Sequence, residues 1–306
     1  MTNRAILFIL FVFTVFFANA QSFEDWAHLD EKKFSKTAKE ILHNTHEVKK
    51  FYQSNDELPR YKKIGLLSFS VFDPVMLNVK YNMAYSTGTS ELTGVVLIDR
   101  LFEETFQSMT AVLKDKHDCM LMLPDQYCDT PEKTSLYRTT EFELSNLFKA
   151  TKNTEERIRA GKEPDLRVDI KGLKRIGYAS ADPKVWRAVG KLAGELGLDG
   201  FLIVENLFNS DKKAAYLMSV RLTLIGPNPV PYREENEKKF APVGPIKGYL
   251  EGLVLGSVNM VPPKDPIELF NYKSKEYGLE GAGQLYARSI DFLMNDTKNA
   301  YAELEK

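Results

Sequence analysis

The chain has 306 residues, 43% hydrophobic and 27% charged, and 41 Lys and Arg stand against 42 Asp and Glu for a formal net charge of -1. That length and apolar content bury a substantial core, as one large domain or two smaller ones. With charge near balance, nothing in the composition points to nucleic acid or an anionic membrane as a partner.

The first twenty residues read as a secretory signal. Arg4 supplies a positive start, Ala5 to Phe17 are almost wholly apolar, and Ala18-Asn19-Ala20 fits the small-x-small preference of signal peptidase. The apolar stretch is too short to span a bilayer comfortably and lacks a basic stop-transfer flank. Cleavage after Ala20 leaves a mature chain beginning at Gln21, without the cysteine that would carry the lipid of a bacterial lipoprotein. No second apolar stretch of spanning length follows, so a mature chain without a transmembrane segment is expected, in the periplasm or secreted.

From Glu31 to Tyr52, Phe34, Ala38, Ile41, Leu42, Thr45, Val48, Phe51 and Tyr52 recur mostly at helical spacing, which predicts a helix. Asn55-Asp56 and Pro59 break it. Ile64 to Phe72 then reads as a buried strand, and Val75 to Tyr85 alternate as a half-exposed one. Ser86 to Ser90 form a polar loop, and Leu92 to Leu113 a long helix. Cys119 to Leu123 is a short apolar run between Asp118 and Pro124, expected as an interior strand. Thr130-Pro131-Glu132 opens another helix, and residues 150 to 172 are charged and poorly periodic, as in a solvated insertion. Asp182-Pro183 opens a helix carrying Trp186, Val189, Leu192, Ala193 and Leu196, which Gly197 and Gly200 stop. Phe201 to Val204 and Ala214 to Ile225 follow as strands. A Pro-rich loop leads to a strand between about Tyr249 and Met260, and Gly283 to Leu304 forms a closing helix.

This order predicts an α/β protein, bordering on α+β, with a mixed sheet and helices packed on it. Four parts are expected: the signal at 1–20, an N-terminal helical segment at 21–60, a mixed α/β domain at 61–262 and a C-terminal helical extension at 263–306. The run Leu192-Ala193-Gly194-Glu195-Leu196-Gly197-Leu198-Asp199-Gly200-Phe201-Leu202-Ile203-Val204 feeds a strand and its antiparallel partner. In this it resembles a superfamily of bacterial envelope domains. That superfamily includes the curli secretion lipoprotein, the lipoprotein activators of penicillin-binding proteins and the amino-terminal domain of the Tol translocation protein. The resemblance covers roughly Lys62 to Val258 and implies a fold, together with envelope assembly or regulation rather than catalysis.

Standard catalytic apparatus is missing from the sequence. There is no Gly-x-Ser-x-Gly elbow, no His-Glu-x-x-His and no P-loop, and Gly281-Ala282-Gly283 lacks the third glycine of a dinucleotide fingerprint. Of four histidines, His28, His43 and His46 lie in the N-terminal segment and only His117 near the expected sheet. No catalytic residue, cofactor or resident metal is assigned. On the expected N-terminal helix, Glu40, His43, His46 and Glu47 would stack on one face, but one helix supplies too few ligands to close a metal site.

If the strands at Ile64, Cys119 and Phe201 run parallel, Asp73, Asp125 and Glu205 fall just past their C-terminal ends. Three carboxylates on that rim could take a divalent cation, perform acid-base work or bind a basic partner. Tyr232, Phe240 and Tyr249 punctuate the stiff Pro-rich stretch between Ile225 and Gly256, a composition suited to docking a protein. Cys119 and Cys128, the only cysteines, are candidates for a local disulfide in an exported chain, or for two independent thiols. The reading is an exported, non-catalytic binding or regulatory protein of the bacterial envelope whose partner is another envelope protein. The alternatives are a hydrolase or metal-dependent enzyme on the carboxylate rim, and a structural subunit of an envelope complex.

Overall fold

The computed structural model describes residues 21–44, 61–72, 90–140, 172–174, 176, 183–211, 213–228 and 251–303. The signal expected at residues 1–20, the strand expected at Val75 to Tyr85, most of the loop expected at Ser86 to Ser90, and most of the expected insertion and Pro-rich stretch lie outside these residues.

β2 (Lys63–Phe72) and β4 (Gly200–Ser210) are largely apolar runs that lie side by side in parallel, and β3 (Met120–Met122) joins the other edge of β2, also parallel. The parallel relation expected for these three segments is therefore observed. β5 (Ala214–Pro227) returns antiparallel to β4, β6 (Gly252–Met260) antiparallel to β5, and β1 (Ala38–Leu42) antiparallel to β6. The order is β1-β6-β5-β4-β2-β3, and β7 (Ile267–Asn271) pairs with the Ala214–Leu217 end of β5. With helices on both faces, this mixed sheet is an α/β fold.

Strand alternation divides the core in two. On one face Leu66, Leu202, Val204, Leu222 and Val258 meet α3 (Ser90–His117) and α7 (Ala282–Ala302), long helices that also pack against each other. On the other, Leu67, Phe201, Ile203, Ile225 and Val254 meet Val189, Leu192, Ala193 and Leu196 of α6 (Pro183–Leu196). Tyr127 of α4 (Pro124–Tyr127) and Tyr137 of α5 (Pro131–Thr139) close the second core. Thr130 caps α5 by accepting from the Lys133 amide at 3.2 Å, as its Thr-Pro start predicts.

α6 sits unusually close to the sheet. A Cβ at Gly190 would lie 2.2 Å from the Gly252 Cα, and one at Gly252 would lie 1.9 Å from the Trp186 carbonyl oxygen. These are backbone atoms, so no rotamer change relieves the overlap. The helix then ends at Gly197, whose φ of 74° is the left-handed conformation that glycine adopts without strain. The Leu198 amide bonds back to the Ala193 carbonyl at 2.9 Å, and the chain enters β4 through Asp199. One carboxylate oxygen of Asp199 accepts from the Lys62 and Lys63 amides at 2.7 and 2.8 Å, pinning the start of β2 to the start of β4.

The N-terminal segment departs from the expected single helix. α1 (Phe23–Ala27) and α2 (Glu31–Ser35) are one turn or so each, and Ala38–Leu42 is strand β1. Helical spacing of Phe34, Ala38 and Leu42 is overridden because Thr37 ends α2: its hydroxyl donates to the Phe34 carbonyl at 2.7 Å and accepts from the Trp26 indole at 3.2 Å. The following residues then pair with β6. Helices this short do not stand alone, and α7 holds them: Arg288 donates to the Ala27 and Leu29 carbonyls, pairs with Glu31 and lies 4.0 Å over the Phe34 ring.

Two further boundaries differ. Among the described residues β3 stands at the edge of the sheet rather than inside it, pairing with β2 alone and leaving Met120 51% exposed. Residues 263–306 are not helical throughout, since β7 joins the sheet before α7 begins.

The helix-sheet contact predicts opposite outcomes one turn apart. Gly190→Ala should destabilise the protein by about 1–3 kcal/mol through overpacking. At Gly194 an added Cβ meets only Pro227 Cβ at 3.5 Å, an ordinary contact. Gly194→Ala should therefore be neutral or gain up to about 1 kcal/mol of helix propensity. Urea denaturation of both variants checks the pair.

Candidate functional site

A row of polar side chains crosses the sheet. Ser70, Glu205, Arg221, Asn259 and Lys39 are register partners on successive strands β2, β4, β5, β6 and β1. Alternation places Glu205 on the face of Phe201 and Ile203, and Arg221 on the face of Thr223 and Ile225, which is the face that α6 covers farther along. In the neighbouring row Thr223 and Ser257 are both buried, with hydroxyl oxygens 3.0 Å apart. The apolar half of this face lies under α6 and the polar half follows it.

Two of the three charges in the row are largely withdrawn from water, and Lys39 at its end is exposed. Glu205 is 6% exposed, and the Arg221 side chain, 18% exposed, forms an ion pair with Glu40 of β1. Neither Glu205 nor Arg221 lacks a partner, as a buried charge requires. The opposite face anchors the row: Asn206 donates to the Ser70 carbonyl at 3.1 Å and accepts from the Tyr286 hydroxyl. Complete burial holds the Tyr286 pKa well above its usual value, so that hydroxyl remains a donor. A hydroxyl, a carboxylate, a guanidinium, an amide and an ammonium thus stand in register on adjacent strands, and among the described residues the Glu205 Oε2 and Asn259 Oδ1 atoms are buried with no hydrogen bond.

The expected carboxylate rim is not assembled as proposed. Glu205 lies within β4, which continues to Ser210, so it faces its neighbours from mid-sheet. Asp125 is exposed in the first turn of α4, after a strand that pairs only with Lys63–Gly65 at the beginning of β2. Asp73 lies outside the described residues, as do Tyr232, Phe240 and Tyr249. Among the described residues no group of three or more His, Cys, Asp and Glu could hold a metal ion.

The helical Glu40/His43/His46/Glu47 arrangement is overturned for its first two members, and the others lie outside the described residues. Glu40 is in β1 with φ of 50°, while His43 Nε2 meets Asp296 at 2.6 Å and its Nδ1 lies 3.2 Å from the Leu255 carbonyl. His43 thus ties the end of β1 to β6 and α7.

Cys119 and Cys128 are free thiols, which corrects the disulfide candidate. The reason is topological: Cys119 packs in the core under α3 and α7, and Cys128 packs against the core under α6. The sheet stands between these two cores. Burial, reinforced by the Asp199 charge, pushes the Cys119 thiol up to about 12, and burial also raises Cys128. Asn295-Asp296-Thr297 places Thr297 fully buried within α7. Among the described residues no helix is long and apolar enough to cross a membrane.

The polar row escaped sequence reading because Glu205 was taken to end its strand. Its signal lies in the next two strands, where Ser219, Arg221 and Thr223, then Ser257 and Asn259, alternate with apolar residues.

With this geometry in hand, the chain was compared with known proteins: no family, curated protein or solved structure matches it.

Thiol labelling tests the cysteine assignment. The unreduced, unfolded protein should take up two alkylating groups. In the native state Cys128 should react slowly and Cys119 not at all, as mass spectrometry of the labelled peptides will read. A pair that labels only after reduction contradicts the assignment.

Proposed function

We propose that the protein is an exported, non-catalytic binding protein of the bacterial cell envelope, and that the polar row is its recognition element. The observation carrying this reading is the row itself, five aligned polar or charged residues on a sheet face otherwise built as core. Buried charges are a poor source of stability, since apolar replacements of similar volume often stabilise a protein instead. Their retention fits a role in specificity. Export is supported by Arg4, the apolar stretch and Ala18-Asn19-Ala20. Removal of the signal would leave the first cap intact, because Ser22 and Asp25 satisfy each other's amides at 3.0 and 3.1 Å. The partner class is another envelope protein, with Tyr232, Phe240 and Tyr249 as a second contact surface.

Affinity capture from native envelope extract tests the reading. The mature chain is compared with a Glu205→Leu/Arg221→Met double variant and with a triple alanine variant at Tyr232, Phe240 and Tyr249. Arg221→Met breaks the ion pair with the largely exposed Glu40 and should cost no more than about 1 kcal/mol, which urea denaturation of each variant checks. The double variant should nonetheless lose the captured partner, and the triple variant should weaken it. Capture of nothing by the wild type sinks the binding reading, and equal capture by all three moves the surface elsewhere.

A further inference from the structure

His117 terminates α3, and its side chain is only 2% exposed. Its Nε2 lies 2.9 Å from the Asp291 carboxylate and its Nδ1 lies 2.9 Å from the Lys298 ammonium, both on α7. Hydrogen-bond accounting assigns the protonation state. Lysine can only donate and a carboxylate can only accept, so Nδ1 must be bare and Nε2 must carry the proton. The bridge is made by neutral imidazole alone.

The surroundings reinforce that assignment. From α3 itself, Lys116 reaches the other Asp291 oxygen at 2.6 Å. From α7, Asn295 also donates to Asp291, at 3.2 Å. In the turn that follows α3, Asp118 is engaged by Lys62, and the Cys119 thiol remains uncharged at neutral pH. Among the described residues Asp291 is thus the carboxylate bound to His117, and the Lys116 and Lys298 ammonium groups already flank the pair. A third positive charge on the ring would break the Lys298 bond and crowd three cations around one anion.

We propose that His117 is a pH-sensitive latch between α3 and α7, closed when the imidazole is neutral and released when it is protonated. Its position gives the latch leverage, because α3 and α7 together cover one whole face of the sheet and α7 also holds the N-terminal helices. Burial, with the Lys298 and Lys116 charges, keeps the His117 pKa below its ordinary 6.5 despite the opposing pull of Asp291. The unfolded chain therefore binds the proton first. The contribution to stability is complete above pH 6.5 and is lost as pH falls through the folded-state value. Burial acts against ionisation of Asp291, but bonds from Lys116 and His117 hold its pKa below the ordinary 3.8, so it stays charged through that window.

Nuclear magnetic resonance of the His117 ring, with amide hydrogen exchange of α7 at about pH 8 and at a pH below the titration midpoint that the ring itself shows, tests the latch. In the wild type, His117 should be the Nε2–H tautomer at the higher pH and titrate below 6.5. Exchange protection beyond Asp291, corrected for intrinsic rates, should be lost at the lower pH. His117→Gln, whose amide does not titrate, should show no such acid-induced loss. Lys298→Met should raise the His117 titration midpoint relative to wild type. The proposal is overturned if α7 protection in the wild type is the same at both pH values, or if His117→Gln loses it equally. Should His117→Gln fail to fold, a Lys298→Met midpoint no higher than wild type overturns it.

Discussion

The placement of β4 between a parallel and an antiparallel neighbour is the constraint on which the remaining structure depends. Its two faces feed two separate cores, with Leu202 and Val204 under α3 and α7 and Phe201 and Ile203 under α6. Its beginning is set by one carboxylate, Asp199, which accepts from two amides at the start of β2. A strand buried on both faces tolerates no shift of register, since one residue of slip would exchange its two sets of side chains. Every later element inherits that alignment, including the α6 contact at Gly190 and Gly252 and the row that crosses the sheet at Glu205.

The same alignment turns separate polar residues into one surface. Glu205, Arg221 and Asn259 lie on three different strands and each is unremarkable in its own strand. Register brings them into line. α6 covers only part of this face, so the core is apolar beneath the helix and polar beyond it. Tyr286 and Asn206 brace the backbone of the row at Ser70 from the opposite side.

α7 plays a corresponding role at the periphery. Arg288 gathers the short N-terminal helices, Asp296 receives His43 from the end of β1, and Asp291 with Lys298 receives His117 from the end of α3. A single helix thus fastens elements drawn from both ends of the chain. This explains why the terminal segments, which read as additions to a central domain, are bound tightly into one sheet and its covering layer.

Local sequence determined a good deal. The Thr130-Pro131 and Pro183 helix starts, the stop at Gly197 and the long helix before His117 were all legible, because caps, glycine conformations and apolar periodicity act over a few residues. Tertiary structure decided the rest. Ala38–Leu42 became a strand because β6 offered an edge stronger than a helical spacing of apolar residues, and Cys119 and Cys128 were kept apart because the sheet runs between their cores. Glu205 joined Arg221 because of strand register, and His117 met Lys298 because two helices pack together. These are tertiary pairings, set by strand register and helix packing, and no pattern local to one element encodes its partner in another.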